Sequence, residues 1–188
     1  MQNEADFISR LTSNKYRDKA FAKLLDLYQQ RLYWHIRKLV ITHENANDVL
    51  QNTFIRIYKS LPNFKHQSSL LTWMYRIAYN ESLRFLANER KKQHTSLDDV
   101  NNNYLNNLAE DVYFEGSEIQ LKLHRVLSEL PEKQRQIFQM KYDDDLKFRE
   151  MAEILGVKEG TLKSSYYSTV KLIEEKMLAV ELLSKPKV

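Results

Sequence analysis

From Asp18 to Val40, apolar side chains recur at Phe21, Leu24, Leu25, Tyr28, Leu32, Ile36 and Leu39. Steps of three and four residues put them on one face of a long amphipathic helix. The spacing returns at Ala46, Val49, Leu50, Thr53, Phe54 and Ile57 and stops at Leu61-Pro62, because proline disfavours helical geometry in the residue before it. A third run, with Leu70, Leu71, Met74, Ile77, Ala78 and Phe85 inward, extends to about Lys92, and Ser68 or Ser69 is its N-cap. A shorter helix is predicted from Glu4 to Leu11. Periodicity disappears over residues 95–118, where asparagines (101–103 and 106–107) and scattered acids leave only isolated apolar side chains, the signature of a linker. It resumes at Ile119, Leu123, Val126, Leu127 and Leu130, breaks at Pro131, and continues from Glu132 to Tyr142 through Ile137 and Met140. The predicted fold is all-α: two helical domains, 1–94 and 119–188, joined by a flexible acidic linker, the second a four-helix-type unit.

Composition agrees with that division. Three glycines and three prolines in 188 residues leave few tight turns, hairpins or phosphate-cradling loops, while 43% hydrophobic residues suffice for two buried cores. Charge is distributed unevenly: 16 Lys/Arg against 8 Asp/Glu in residues 1–94, none against 6 in 95–118, and 13 against 11 in 119–188. Two cationic pieces flanking an anionic strip point to a polyanionic partner, most often nucleic acid.

Several function classes are excluded or disfavoured. With no cysteine there is no disulfide, thiolate metal site or cysteine nucleophile, which fits a reducing cytosol. No apolar run is long enough for a membrane span, and Met1 to Phe7 carries Glu4 and Asp6 in place of a leader's apolar stretch, so a cytoplasmic location without membrane insertion is expected. His35, His43, His66, His94 and His124 lack metal-ligand spacing, and there is no phosphate loop or nucleophile elbow. Neither a catalytic residue, nor a metal site, nor a cofactor is predicted. The run Asp143-Asp144-Asp145 is read as acids beside a helix N-terminus, capping it and favouring its dipole.

The most specific local pattern runs from Phe148 to Leu162 and reads as a helix-turn-helix. Ala152 is small where two helices cross closely, Gly156 can take the left-handed conformation of the turn, and Leu162 packs the second helix inward. That second helix, about Glu159 to Lys176, is expected to bury Leu162, Tyr166, Val170 and Ile173. It turns Lys163, Ser164, Ser165, Tyr167, Ser168 and Lys171 outward, where they can enter a DNA major groove. A plain helical hairpin with a glycine turn is the alternative.

Taken together, the two halves resemble the extracytoplasmic-function sigma factors of bacterial RNA polymerase, within the sigma-70 family, over roughly residues 18–92 and 119–178. The first signature is the stretch from Ala46 to Tyr58, followed by Phe64 and by Thr72-Trp73-Met74-Tyr75-Arg76-Ile77-Ala78-Tyr79-Asn80. The second is Leu130-Pro131-Glu132-Lys133-Gln134-Arg135, then Met151-Ala152-Glu153-Ile154-Leu155-Gly156 and Glu159-Gly160-Thr161-Leu162-Lys163-Ser164.

The resemblance implies a promoter-specificity subunit that binds core polymerase through the clamp helices of its largest subunit and through its flap. Asp48, Gln51, Asn52, Phe54 and Ile55 would supply the clamp contact, with Phe54 favoured as core by its helical position. It also implies that Phe64 to Ser69 and the helix from Thr72 to Arg84 melt and read the minus-ten element through Phe64, Lys65, His66, Thr72, Trp73, Tyr75, Arg76, Tyr79, Asn80 and Arg84. Aromatic faces stack on unpaired bases and cations attract phosphates. Trp73 is read as core before base contact, and Tyr75 and Tyr79 remain open between the two. A pocket in the loop from Pro62 to Ser69 would hold a flipped base.

For the minus-thirty-five element the resemblance implies Lys158, Thr161, Lys163, Ser164, Ser165, Tyr167, Ser168 and Lys171. Relatives often carry arginine at the position of Ser165 and a basic residue at that of Ser168, so bidentate guanine contacts are reduced here. Lys158 stands where a Ser or Thr cap is usual, a change costing about 1 kcal/mol of helix stability unless another group substitutes. An anti-sigma protein is a further implied partner. Promoter elements two DNA turns apart lie about 68 Å from each other. A 24-residue linker has a root-mean-square span of only about 25–30 Å, so a scaffold that holds the domains apart is expected. The main alternative is a stand-alone helix-turn-helix regulator that does not bind core polymerase; it leaves the stretch from Asp48 to Tyr58 unexplained.

Overall fold

The computed structural model describes residues 2–93 and 118–184, which are helical throughout apart from short connections and contain no strand. The predicted linker, 95–118, lies outside the described residues except for its last position. The chain divides into two compact units, with the boundary at Lys92 and Gln93.

The first unit contains α1 (Gln2–Thr12), α2 (Arg17–Val40), α3 (His43–Ser60), one turn of 3-10 helix (Leu61–Asn63) and α4 (Leu70–Gln93). Its core is filled by Leu11, Leu24, Leu32, Ile36, Ile57, Leu61 and Met74, all fully buried. The predicted faces of α2 and α3 are the ones that meet. Phe21 lies edge-on to Phe54 at 6.2 Å and to Tyr58 at 5.0 Å. Tyr58 donates its hydroxyl to Asp18 Oδ1 at 2.6 Å, and that bond first, with a smaller contribution from burial, holds the phenol above its ordinary pKa.

Local chemistry sets the helix ends. The chain leaves α2 at Ile41, whose positive φ of 72° and buried side chain accompany a Thr42 amide bonded to the Val40 carbonyl at 2.9 Å. This is a γ-turn of the rarer positive-φ kind, unusual for a β-branched residue. The Thr42 hydroxyl oxygen accepts from the Asn45 amide and caps α3. Between the two serines predicted to cap α4, Ser69 does so, accepting from the Thr72 amide at 3.0 Å. Leu71, Ile77 and Phe85, predicted inward on α4, are only half-buried, while Trp73 and Tyr75 are buried.

The second unit contains α5 (Glu118–Ser128), α6 (Glu132–Tyr142), α7 (Phe148–Leu155) and α8 (Glu159–Ser184). Val126, Leu127, Leu130, Phe138 and Ile173 form its core, with Leu123, Tyr166 and Val170 packed against it. Two expectations need correction. The helix carrying the predicted recognition face continues past Lys176 to Ser184. The acids at 143–145 do not occupy the N-cap of α7, which is Lys147. The Lys147 amide donates to the Glu150 carboxylate at 2.8 Å, half of a capping box. Asp143 instead ends α6, and Asp145, at φ 52°, pairs with Lys141 across 3.5 Å.

Gly156 closes α7 in the left-handed region at φ 67°, its amide bonded to the Ala152 carbonyl at 3.0 Å. A Cβ there would meet nothing within 4 Å, so the backbone alone demands glycine. Gly156→Ala is therefore expected to cost about 1–2 kcal/mol of second-unit stability, measurable by urea unfolding; an unchanged midpoint would show that the turn does not hold this conformation.

Candidate polymerase and nucleic-acid interfaces

α3 separates its residues into two arcs. Ala46, Val49, Thr53, Phe54 and Ile57 are buried, and the Thr53 hydroxyl is satisfied by the Val49 carbonyl at 2.7 Å. Asp48, Gln51, Asn52 and Ile55 are exposed. Ile55 is 52% exposed, which leaves an aliphatic side chain among polar neighbours on the outer arc. Phe54 sits in the core at 8% exposure, the position favoured for it from the sequence.

The residues expected to meet the minus-ten element divide less simply. Lys65, His66, Arg76, Asn80 and Arg84 are exposed, and Tyr79 is half-buried. On α4, Arg76, Asn80 and Arg84 recur every fourth residue and make a polar row on one side of the helix. Phe64, Thr72, Trp73 and Tyr75 are buried. Phe64 packs on Trp73 at 5.0 Å and on His66 at 4.8 Å, so the start of α4 is held to the preceding loop by an aromatic cluster. Tyr75, 1% exposed, lies edge-on to the His35 ring at 4.8 Å. In this arrangement the buried rings shape the surface and present little face to solvent.

A feature that the sequence pattern did not isolate lies between α3 and α4. Arg56 Nε reaches Glu81 Oε1 at 2.6 Å, and Arg84 reaches the same oxygen at 3.0 Å. Glu81 and Arg84 stand three apart on one helix and were recognisable as a pair. The partnership with Arg56 is tertiary and leaves no trace in local spacing.

In the second unit, the α8 surface carries Lys158, Thr161, Lys163, Ser164, Tyr167, Ser168 and Lys171 exposed and Ser165 half-buried. The Ser165 carbonyl accepts from the Ser168 and Thr169 hydroxyls at 2.9 and 2.8 Å. Thr169 is thereby buried at 1%, a core position that polarity concealed in the sequence. Lys163 pairs with Glu159 at 2.7 Å, and this hydrogen bond, with the attraction of the carboxylate, holds the ammonium above its ordinary pKa. Behind them runs an aromatic series: Tyr142 stacks on Phe138 at 5.2 Å, Phe138 faces Tyr166 at 6.0 Å, and Phe148 touches both Tyr166 and Tyr167. Burial first, then the neighbouring phenols of Tyr167 and Tyr142, raises the Tyr166 pKa. Tyr167 remains 64% exposed.

Among the described residues, no group of three or more His, Asp or Glu side chains is placed to hold a metal ion, and no helix is long and apolar enough to cross a membrane.

Comparison with known proteins fits this geometry. Residues 24–92 match the Sigma-70 region 2 family model, and residues 120–172 match Sigma-70, region 4. The ECF RNA polymerase sigma factor SigW of Bacillus subtilis is 28% identical over 153 residues, covering 77% of this chain and 82% of that protein. The ECF RNA polymerase sigma-E factor of Escherichia coli is 27% identical over 168 residues, 85% of this chain and 87% of that one. Among solved structures, the sigma factor RpoE from Bartonella quintana, in a co-crystal with the anti-sigma factor NepR, superposes with a TM-score of 0.68 at 21% identity, over 85% of this chain and 97% of that one. CnrH, in complex with the cytosolic domain of CnrY, does so at 0.65 and 15% identity, over 97% and 99%. Those two structures share the fold. The chain belongs to the extracytoplasmic-function group of the sigma-70 family and is an RNA polymerase sigma factor.

The two arcs of α3 predict opposite responses to mutation. Phe54→Ala is expected to cost about 3–5 kcal/mol, whereas Gln51→Ala and Asn52→Ala should stay within about 0.5 kcal/mol. Urea unfolding followed by circular dichroism measures both; equal costs would show that the outer arc is also structural.

Proposed function

We propose that the first unit docks on core RNA polymerase through the outer arc of α3 and meets the unpaired minus-ten strand along α4, while the second unit reads the minus-thirty-five element through α8. The observation that carries this reading is the division of α3. A surface helix with Phe54 and Ile57 anchored inward still exposes Asp48, Gln51, Asn52 and the aliphatic Ile55 on one continuous arc, the composition of a protein contact. Docking there would be made on the clamp helices of the largest subunit, and the second unit would meet the flap.

On α4, the Arg76, Asn80 and Arg84 row supplies cations and an amide for a DNA backbone, with exposed Lys65 and His66 on the preceding loop. Thr72, Trp73 and Tyr75 of the same helix are buried. The domain division is 1–94 for polymerase and minus-ten contact, 95–118 as the connection, and 119–188 for minus-thirty-five contact.

On α8, the exposed groups are lysines, hydroxyls and the Tyr167 ring, and no arginine stands on the outer face from Lys158 to Lys171. Such a surface favours phosphate contacts and apolar contact with thymine methyl groups over bidentate guanine recognition. The solved relatives in complex with partner proteins, one of them an anti-sigma factor, support a protein inhibitor as a further partner of this chain.

Reconstitution with bacterial core polymerase tests the assignment. The mixture should initiate at defined promoters, mapped by sequencing transcript starts. Asp48→Ala or Gln51→Ala should weaken core binding by about tenfold, the scale of 1.4 kcal/mol, while Lys163→Ala and Tyr167→Ala leave it unchanged. Specific duplex binding by the chain alone, with no affinity for core, would identify a stand-alone regulator instead. Ser168→Arg is expected to add a preference for guanine worth about 1–3 kcal/mol at one minus-thirty-five position, read from a base-substituted promoter library; an unaltered preference would remove that residue from the reading face.

A further inference from the structure

The Arg56–Glu81–Arg84 cluster lies in a cleft of about 460 Å³ between α3 and α4, whose lining includes Ser60, Trp73 and Asn80. A second cleft of about 340 Å³ adjoins it, shares Arg56, Ser60 and Glu81, and runs toward Asn52 and Ile55. Both guanidinium groups converge on one oxygen of a single carboxylate. The Glu81 side chain is 12% exposed, whereas those of Arg56 and Arg84 are 47% and 57% exposed. The anion is therefore set inward and the two cations lean over it from the solvent side.

Stability is a weak explanation for this arrangement. Ion pairs with half-exposed partners contribute little, and two arginines on one carboxylate leave an excess positive charge at the cleft mouth. That excess is what a polyanion would meet. A phosphodiester carries one negative charge with two oxygens free to accept, the geometry that arginine forks engage well. Asn80, exposed on the same lining, adds a neutral donor beside them.

We propose that Glu81 occupies, on Arg56 and Arg84, the place that a phosphate of an unpaired DNA strand takes, so that the cleft is a backbone-binding site whose affinity an internal carboxylate holds down. The proposal rests on the reading that this unit meets promoter DNA, and it adds Arg56 and Glu81 to the residues that govern that contact. The incoming phosphate displaces the carboxylate from one or both guanidinium groups. Stray single strands lack the promoter's base sequence and meet the cost of this displacement with phosphate contacts and unselective stacking alone, whereas a promoter strand also meets base-directed side chains elsewhere on the unit.

The test uses the full chain and a fluorescein-labelled single-stranded oligonucleotide of mixed sequence, with anisotropy followed over a salt series. Glu81→Gln should bind about two- to fivefold more tightly at low salt, the scale of an exposed ion pair. Its log–log salt slope should steepen by about 0.7 for each additional phosphate neutralised. In a double-mutant cycle with Arg84→Gln, this gain should shrink by about half, because only Arg56 is then left for Glu81→Gln to release. Glu81→Asp, which keeps the charge but shortens the reach to Arg56, should fall between wild type and Glu81→Gln.

Unchanged or weaker binding by Glu81→Gln would overturn the proposal, and so would a lowered unfolding midpoint without any gain in affinity, which identifies a purely structural tie. A gain that persists undiminished alongside Arg84→Gln would also overturn it, as a general charge effect. Because this comparison needs no polymerase, a wild-type chain that failed to start transcription with core enzyme would count against the proposed function separately.

Discussion

Packing of α2 against α3 sets what every outer surface of the first unit can be. Phe21, Phe54 and Tyr58 meet edge to face, Asp18 receives the Tyr58 hydroxyl, and Ile57 is sealed from solvent. These contacts fix the rotation of α3 about its axis, and a helix of 3.6 residues per turn then has no freedom over which residues face outward. Asp48, Gln51, Asn52 and Ile55 are on the surface because Val49, Phe54 and Ile57 cannot be. The same rotation aims Arg56 toward Glu81 on α4. One set of apolar contacts thus places both the arc proposed to face polymerase and the cation that borders the cleft proposed to face nucleic acid.

The second unit reaches an equivalent result with a turn. Gly156 allows α7 to stop in a left-handed residue, and Leu162 and Ile173 then lock α8 onto a core supplied by α5 and α6. Between those anchors, Tyr166 lies inside the aromatic series and Tyr167 beside it projects outward. A single step along the helix separates a side chain packed on the core from one exposed to solvent. The ring contacts of Tyr167 with Tyr166 and Phe148 bear on the base contact proposed for it, because such a contact adds little affinity if the ring must first be ordered.

Most of this architecture was legible in the spacing of apolar residues. Helix α6 begins and ends at the predicted Glu132 and Tyr142, and the burial of Phe54, Leu162 and Ile173 followed from period alone. Several of the residues that local spacing left unread share a cause, which is a tertiary or side-chain partner that local pattern does not reveal. Thr169 is core with its hydroxyl bonded to the Ser165 carbonyl within the helix, and Tyr75, left open by the sequence, is buried with His35 from α2 against its ring. Asp143 to Asp145 looked like a helix cap, yet the Glu150 carboxylate takes the Lys147 amide and performs half of that task. Arg56 and Glu81, 25 positions apart, are joined only by the tertiary fold.

Both proposed DNA-facing surfaces hold cations against carboxylates of the same chain: Lys163 against Glu159, and Arg84 with Arg56 against Glu81. An exposed pair such as Lys163 with Glu159 stabilises a fold by at most about 1 kcal/mol and weakens with salt, and the half-exposed guanidinium groups on Glu81 are screened in the same way. Their effect on binding is larger in proportion. Non-specific affinity for DNA comes almost entirely from unpaired cations and the counterions they release. Each cation already committed to an internal acid lowers that background, while the base contact proposed for Tyr167 would be untouched by it. A specificity factor is selective by the ratio of the two terms. On the proposed reading, pairing its cations internally would improve that ratio without adding a single base contact, and the correct promoter would then depend on base-directed side chains that the buried helical faces hold in place.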